Sequence, residues 1–411
     1  MKFAFKLFAL LVSSFLLTQV IPSPLSSTLA SAAYDIIVDP TGSGGAVKTV
    51  QDAIKAIPSN SSKRTTVFIK NGIYKEKVTL NSDKTNVTFI GESLSGTKIT
   101  YDDYNGRVVN GTTLGTGTSA TVTINASGFE AANITFENSY GIGKQAVAVL
   151  IQANRIVFSN CRFTGHQDTL YVKGVQQYFK NCIISGETDF IFGPATTLFD
   201  QCEIDVGWKG SSGCVTAPST TSDLEYGLVF MDCKFMNNGI PSGKTTLLAR
   251  AWWSGPNLAP KQAIIRSYID SIFPSATSDA YSETGTEYSN PSAIMFSEYK
   301  NTGPGVSLQR KQLTDSQASN YTMANILSGW TPDIPGSPQN ITLKAGDANS
   351  DGKINSTDLS LIKRHILSIN LLAGDALKAS DVNGDQKVNS LDASYIKRYI
   401  LGTIYKFPIE Q

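Results

Sequence analysis

The sequence predicts an all-β solenoid of stacked parallel coils, followed by a small helical module. Three patterns predict it. Four similar hexapeptides, FSNCRF, FKNCII, FDQCEI and FMDCKF, place Cys161, Cys182, Cys202 and Cys233 at intervals of 21, 20 and 31 residues. From about Thr66 to Arg266, runs such as TVFIK, NVTFIG, TVTINA and RIVFSN alternate with turn residues, as short strands do. Beyond a proline-rich stretch, two Asp/Asn-rich segments repeat with an offset of 34 and continue into apolar, helix-spaced residues. A period near 20 in strand-like runs means that each repeat is one coil stacked on the last, and the longer third interval has room for an inserted loop.

The 411 residues have room for one to three domains, and 41% hydrophobic content allows a substantial core. With 35 basic and 34 acidic residues, the net charge of +1 gives no electrostatic reason for a nucleic-acid partner. Lys2 and Lys6, an apolar run from Leu7 to Leu17 and the small residues Ala30, Ser31 and Ala32 read as a signal peptide over residues 1–32, hence a secreted, extracellular protein. A membrane anchor is the alternative, but the run is too short to span and no other segment reaches about 18 apolar residues. Five cysteines in an exported chain would ordinarily suggest disulfides. Four of them hold one phase of the repeat, which makes them a buried stack, although a bridge between adjacent rungs is geometrically open.

After the signal, Val50, Ala53, Ile54 and Ile57 follow the spacing of a short amphipathic helix ended by Pro58, suited to capping the solenoid. The expected organisation is a solenoid over residues 33–330, a linker over 331–344 and a second module over 345–405.

In that module, Asp347, Asn349, Asp351, Lys353, Asn355 and Asp358 stand at positions 1, 3, 5, 7, 9 and 12 of an EF-hand-like loop. Asp381, Asn383, Asp385, Lys387, Asn389 and Asp392 repeat them, with Gln386 where position 6 is ordinarily Gly. Oxygen donors at alternate positions let one tight loop wrap a hard cation, the lysine contributing its carbonyl, so two Ca²⁺ ions are expected. Two polar turns without metal are the alternative. Two such loops, followed by helices ending KRHIL and KRYIL, resemble a type I dockerin. That resemblance implies a cohesin module of a scaffold protein as partner, as in a cellulosome. It places Ser356, Thr357, Lys363 and Arg364 of one copy, and Ser390, Leu391, Lys397 and Arg398 of the other, toward the cohesin.

Asp168 lies seven residues after Cys161, and Asp189 seven after Cys182. Equal phase stacks the two carboxylates at about the 4.8 Å spacing of a parallel sheet. Each raises the cost of charging the other, so one serves as an acid and its partner as a nucleophile or base. A structural pair on a solvated face has the same spacing. Gln145 lies 22 residues before Gln167, about one coil away, and two stacked amides suit a developing oxyanion. Arg250 can clamp a carboxylate through two hydrogen bonds. Tyr171, Phe192 and Trp252 offer flat surfaces for sugar rings, or ordinary packing. His166 reads as a turn or rim residue, and without a G-x-S-x-G segment a serine esterase is not expected.

GIYKE (72–76), QAVA (145–148), GHQDTL (165–170), DFIFG (189–193) and LARAW (248–252) resemble, in order, the signature segments of pectin methylesterases. Ala249 and Ala251 stand where that family usually has Gly and Pro. The resemblance implies a right-handed parallel β-helix that removes methyl groups from galacturonate esters in pectin, methylated homogalacturonan, without a catalytic cofactor. Asp189 would be the nucleophile, Gln145 and Gln167 the oxyanion donors and Asp168 the acid and then the base. Arg250 would orient Asp189, and Phe192, Trp252 and Tyr171 would line sugar subsites. A lyase or glycosidase on the same fold, or a non-catalytic carbohydrate-binding solenoid, are the alternatives.

Overall fold

The computed structural model describes residues 34–274, 281–283, 288–335, 345–348, 354–367, 372 and 374–410. The expected signal peptide lies outside them. Three parallel sheets wind along the chain. Ten strands from Ile36–Val38 to Met295–Tyr299 form the first, eight from Gly72–Lys75 to Tyr268–Ile269 the second, and eight from Val78–Leu80 to Tyr281–Glu283 the third. One coil runs Ile156–Ser159, Arg162–Thr164, Leu170–Val172, and the next runs Gln177–Lys180, Ile183–Gly186, Ile191–Gly193, each strand pairing in parallel with its counterpart. This is a parallel β-helix, the solenoid that the 20-residue period predicts.

The hexapeptide repeat builds its interior. The phenylalanine three residues before each cysteine turns inward, and Phe158, Phe179, Phe199 and Phe230 form one buried column. Successive rings stack 5.0, 4.9 and 4.6 Å apart at 17°, 27° and 8°. The residue before each cysteine turns the corner between the first and second sheets in left-handed backbone: Asn160, Asn181, Gln201 and Asp232 have φ of 47°, 52°, 55° and 54°. Asn and Asp tolerate that region better than other residues with a side chain, which accounts for the recurring polar residue there. All five cysteines are buried and free, so the phase-matched four are a thiol stack and not a bridge.

The helix Val50–Ala56 forms at the N-terminal end with Val50, Ala53, Ile54 and Ile57 all buried. The Thr49 hydroxyl accepts from the Asp52 N–H, while the Glu76 carboxylate of GIYKE accepts from the first two amides, Val50 and Gln51, at 2.9 and 3.0 Å. These are the donors a helix start leaves unpaired. Beyond the last coil, the short helix Met323–Ile326 seats Ile326 and Leu327 against Val157, Tyr178, Leu198 and Val229 on the outer face of the first sheet. The proline-rich stretch expected as linker from 331 continues this cover. Ile334 packs in the same cluster, Pro332 and Pro335 are buried, and the Pro335 carbonyl accepts from the Ser159 hydroxyl. An apolar outer sheet face has to be shielded from water, and these residues shield it.

In the second module, the helices Ser356–Ile366 and Ser390–Ile400 each start at a capping box, Asn355 with Asp358 and Asn389 with Asp392. Ile362, Val382, Ile396 and Phe407 form its core. A third helix, Gly374–Ser380, lies between them in sequence and was not part of the expectation. Among the described residues no helix is long and apolar enough to cross a membrane.

Candidate active site

Asp168 and Asp189 each stand two residues before a strand of the third sheet. Gln167 bridges Thr188 and the Asp168 N–H donates to the Thr188 carbonyl at 3.1 Å, so the two aspartates are register partners in adjacent coils. Both adopt left-handed backbone, with φ of 70° and 49°, and they are 2% and 5% exposed. Such backbone costs energy and persists where surrounding structure enforces it, often at functional sites. Gly193 closes DFIFG for a steric reason. Its φ is 130°, and a Cβ there would lie 2.0 Å from the Val172 carbonyl oxygen of the coil beneath.

The surroundings of the two carboxyls differ. Arg250, from the strand Leu247–Ala251, donates Nε to Asp189 Oδ1 at 2.8 Å and Nη2 to Oδ2 at 2.7 Å. In that strand Ala249 and Ala251 are fully buried while Arg250 faces the cleft, so alanine in place of Gly and Pro leaves the arginine's aim intact. Asp168 has no such partner. Burial first, and then the neighbouring Asp189 charge, push its carboxyl up to about 8, against smaller opposing effects of Arg250 and of a hydrogen bond from Gln145.

Gln145 is oriented from behind. Its Oε1 accepts from Asn105 Nδ2 and, at 2.9 Å, from the Thr116 hydroxyl. The Gln145 carbonyl also accepts from the Asn105 N–H at 2.8 Å. With two donors on the oxygen, the amide NH₂ is the end left to face Asp168. Gln167 stands on the next coil, where its carbonyl accepts from the Ala146 N–H at 3.1 Å, but its side chain does not line the cleft.

The cleft measures about 370 Å³ and brings together Gln145, Asp168, Asp189, Arg250 and the three expected aromatics. Tyr171 and Phe192, register partners on the third sheet, stack 4.2 Å apart at 19°. Trp252 lies 5.7 Å from Phe192 at 56°, forming a second wall. His166 lies outside this lining and pairs with the buried Glu187, Nδ1 to Oε2 at 3.1 Å, which raises its pKa.

Sequence reasoning missed Asn105, Thr116 and Lys173. The first two belong to the excursion between Tyr101 and Val122, which has no counterpart in the repeat and so no phase to read. Lys173 carried a usable signal, since it follows Tyr171 by two and strand alternation puts both on one face.

In the second module, Asp381, Asn383, Asp385, Lys387 and Asp392 are described, as are Asp347 and Asp358 of the first loop, whereas Asn349, Asp351 and Lys353 lie outside the described residues. The Asp381 carboxylate accepts from the N–H groups of Gly384, Asp385 and Gln386, and the buried Asp392 carboxylate accepts from Val382, Asn383 and Asn389. Gln386 takes a φ of 66°, the left-handed turn for which position 6 ordinarily uses Gly. No group of three acidic, His or Cys side chains among the described residues converges closely enough to hold a metal alone. The oxygen donors of this loop include the Asn383 amide and the Lys387 main chain, a set that fits a hard cation.

A model of the pectinesterase family matches residues 35–329, and a model of the type I dockerin domain matches residues 337–401. Pectinesterase A of Dickeya chrysanthemi is 32% identical over 359 residues, covering 78% of this chain and 97% of that protein. A probable pectinesterase/pectinesterase inhibitor of Arabidopsis thaliana is 34% identical over 327 residues. That alignment takes in 75% of this chain, and the chain spans 55% of the length of that relative. Among solved structures, a pectin methylesterase in complex with a hexasaccharide aligns with a TM-score of 0.66 at 31% identity, over 74% of this chain and 100% of that one. With the parallel β-helix and its paired aspartates described, these matches make the chain a member of the pectinesterase family of carboxylic ester hydrolases, with a type I dockerin domain toward its C-terminal end.

Proposed function

We propose that this protein hydrolyses the methyl esters of galacturonate residues in pectin, with Asp189 as nucleophile and Asp168 as acid and base. The observation that carries the assignment is the asymmetry of the pair. Arg250 grips the Asp189 carboxylate through both oxygens, while the buried Asp168 holds its proton to about pH 8. Asp189 attacks the ester carbonyl, and the Gln145 amide, turned into the cleft by Asn105 and Thr116, donates to the oxyanion that forms. Gln167 is the second donor in this scheme, on the coil next to that of Gln145. Collapse of the tetrahedral intermediate expels methoxide, which takes the Asp168 proton and leaves as methanol. Asp189 is then acylated. The Asp168 carboxylate removes a proton from water, the hydroxide attacks the acyl carbonyl, and galacturonate departs with Asp189 restored. Tyr171, Phe192 and Trp252 stack against sugar rings, a role their place in the lining of the cleft supports.

The remaining organisation follows the sequence reading except at 331–335, which pack on the solenoid: a signal peptide over 1–32, a catalytic domain from 33 with its cover running to 335, a linker over the rest to 344 and a dockerin over 345–405. Calcium in the two loops would supply rigidity to the dockerin. Asp381, Asn383, Asp385, the Lys387 carbonyl and Asp392 would hold one ion, and the matching residues from Asp347 to Asp358 the other. The secreted enzyme is thereby tethered through a cohesin to a cellulosome scaffold.

Methanol release from methylated pectin tests the reading. The parent protein is expected to release methanol and Asp189→Ala to release none while remaining folded. Turnover by Asp189→Ala, or an unsaturated ultraviolet-absorbing product from the parent, would overturn it.

A further inference from the structure

We propose that His166 and Glu187 are a positioning pair for the reaction: their contact sets the distance between the two turns from which Asp168 and Asp189 reach into the cleft. The proposal rests on the aspartate mechanism above and adds the device that keeps its two carboxyls in register.

The pair repeats the phase of the aspartates. His166 stands two residues before Asp168, and Glu187 two before Asp189, so both pairs join the same two coils across 21 residues. His166 Nδ1 lies 3.2 and 3.1 Å from the two oxygens of the Glu187 carboxylate, and since a carboxylate only accepts, the imidazole donates. The Glu187 side chain is 5% exposed and that of His166 is 38%, so a buried carboxylate has as its partner a ring that still meets solvent. Among the described residues no other side chain pairs with that carboxylate. A buried charge is costly without a partner, which gives the contact its hold.

The two turns are in close contact here. The Thr169 hydroxyl lies 3.2 Å from the His166 carbonyl oxygen and 3.0 Å from that of Ser185 in the next coil. A Cβ at Gly186 would lie 2.6 Å from the His166 carbonyl oxygen, so glycine lets the turns meet. Charge works against this closeness at the aspartates. Asp168 becomes a carboxylate each time it gives its proton to methanol, and like groups on adjacent rungs repel. The opposite pair, two residues earlier in each turn, draws the same turns together. The hydrogen bond to Glu187 raises the pKa of His166, against burial, and so favours the cationic ring. His166 lies outside the cleft lining, hence it acts through the turns and not on the substrate.

The charged groups facing the two centres are Glu187 at His166, and Asp189 and Arg250 at Asp168. That inventory gives the test its sign. Removing the His166 cation alone would make Asp168 harder to ionise and move the alkaline fall of activity to higher pH. Separating the turns relieves the burial and the Asp189 charge that hold the Asp168 carboxyl up, and moves the fall to lower pH.

The experiment measures methanol release from methyl-esterified hexagalacturonate by the full chain across pH. His166→Phe keeps a ring and loses the donor. It is expected to lower kcat by about tenfold, as suits a small misplacement of reacting groups, with KM within about twofold of the parent. The alkaline fall of kcat/KM should move to lower pH. His166→Asn places an amide donor where Nδ1 stood and should restore most of kcat. If His166→Phe fails to fold because Glu187 is left unpaired, the double variant with Glu187→Gln has no buried lone charge and carries the same expectations. Parental kcat in the folded variant, an alkaline fall that stays or moves up, or an asparagine variant as slow as the phenylalanine one would overturn the positioning role and leave the esterase reading standing. No methanol from the parent would overturn both.

Discussion

Asp168 and Asp189 are register partners in adjacent coils, share left-handed backbone, and yet have different company: Asp189 meets a bidentate arginine and Asp168 meets an amide. One repeat position thus carries two electrostatic environments.

The raised pKa of Asp168 has consequences of determined sign. Its carboxyl is lifted from the ordinary 3.8 to about 8, so between those values the folded state holds a proton that the unfolded state has lost. Stability contributed by this group is full below about pH 4 and is lost as pH rises through 8. Asp168→Asn removes the titration. It should melt above the parent at pH 8, by about 2–4 °C for each kcal/mol recovered, and match it more nearly at pH 4. Calorimetry at the two pH values checks this. The same substitution should slow methanol release by about 10³-fold or more, because an amide neither protonates methanol nor activates water. Parent activity should fall above about pH 8 as the acid form of Asp168 disappears.

Arg250→Lys keeps a positive charge and loses the planar fork that reaches both oxygens of Asp189. A drop of about tenfold to a hundredfold in kcat is expected, with the sugar subsites intact. Parental kcat in the lysine variant would exclude orientation as the role of Arg250.

Asn105→Asp replaces the donor on Gln145 Oε1 with an acceptor of the same shape. The Gln145 amide should then rotate and turn its oxygen toward the oxyanion position, lowering kcat by about tenfold to a hundredfold with little change in KM. Thr116→Ser keeps the second donor and should retain activity, whereas Thr116→Val should lose part of it. A uniform loss of folding stability without this split in kcat would show that the clamp is merely structural.

Chelation should separate the two modules. Metal binding free energy in a small module is also its folding free energy, so EDTA should unfold residues 345–405 and abolish cohesin capture. Methanol release should continue, since carboxylates, amides and an arginine carry the proposed chemistry. Gln386→Gly relieves the left-handed φ of 66° and should stabilise the calcium-loaded dockerin by about 0.5–1 kcal/mol, read as a higher melting temperature.

All five cysteines are free and buried. Thiol titration of the denatured chain should therefore count five thiols, while the folded chain reacts slowly. Reductant should leave the melting temperature unchanged, and a drop on reduction would place a bridge in the stack.

The residues that repeat are the ones that reasoning from sequence could place. Cys161 and Cys182 share a phase, so Asp168 and Asp189 had to stack, because a parallel coil transmits register from one rung to the next through backbone hydrogen bonds alone. The capping helix followed from the spacing of Val50, Ala53, Ile54 and Ile57, and the dockerin loops from alternate oxygen donors, both of them local patterns.

What only the tertiary structure decided depends on atoms brought from distant, non-repeating segments. The different environments of the two aspartates depend on burial and on Arg250, 61 residues beyond Asp189. The aim of the Gln145 amide depends on Asn105 and Thr116, which belong to an excursion with no phase. The cover formed by residues 331–335 depends on the apolar outer face of the first sheet, and the seat of the Lys173 ammonium 4.8 Å from the centre of the Tyr171 ring depends on how the third sheet packs at the cleft. Periodicity encodes which residues are neighbours along the solenoid axis. Electrostatic environment is a sum over everything that packs around a site, and that sum exists only in the folded chain.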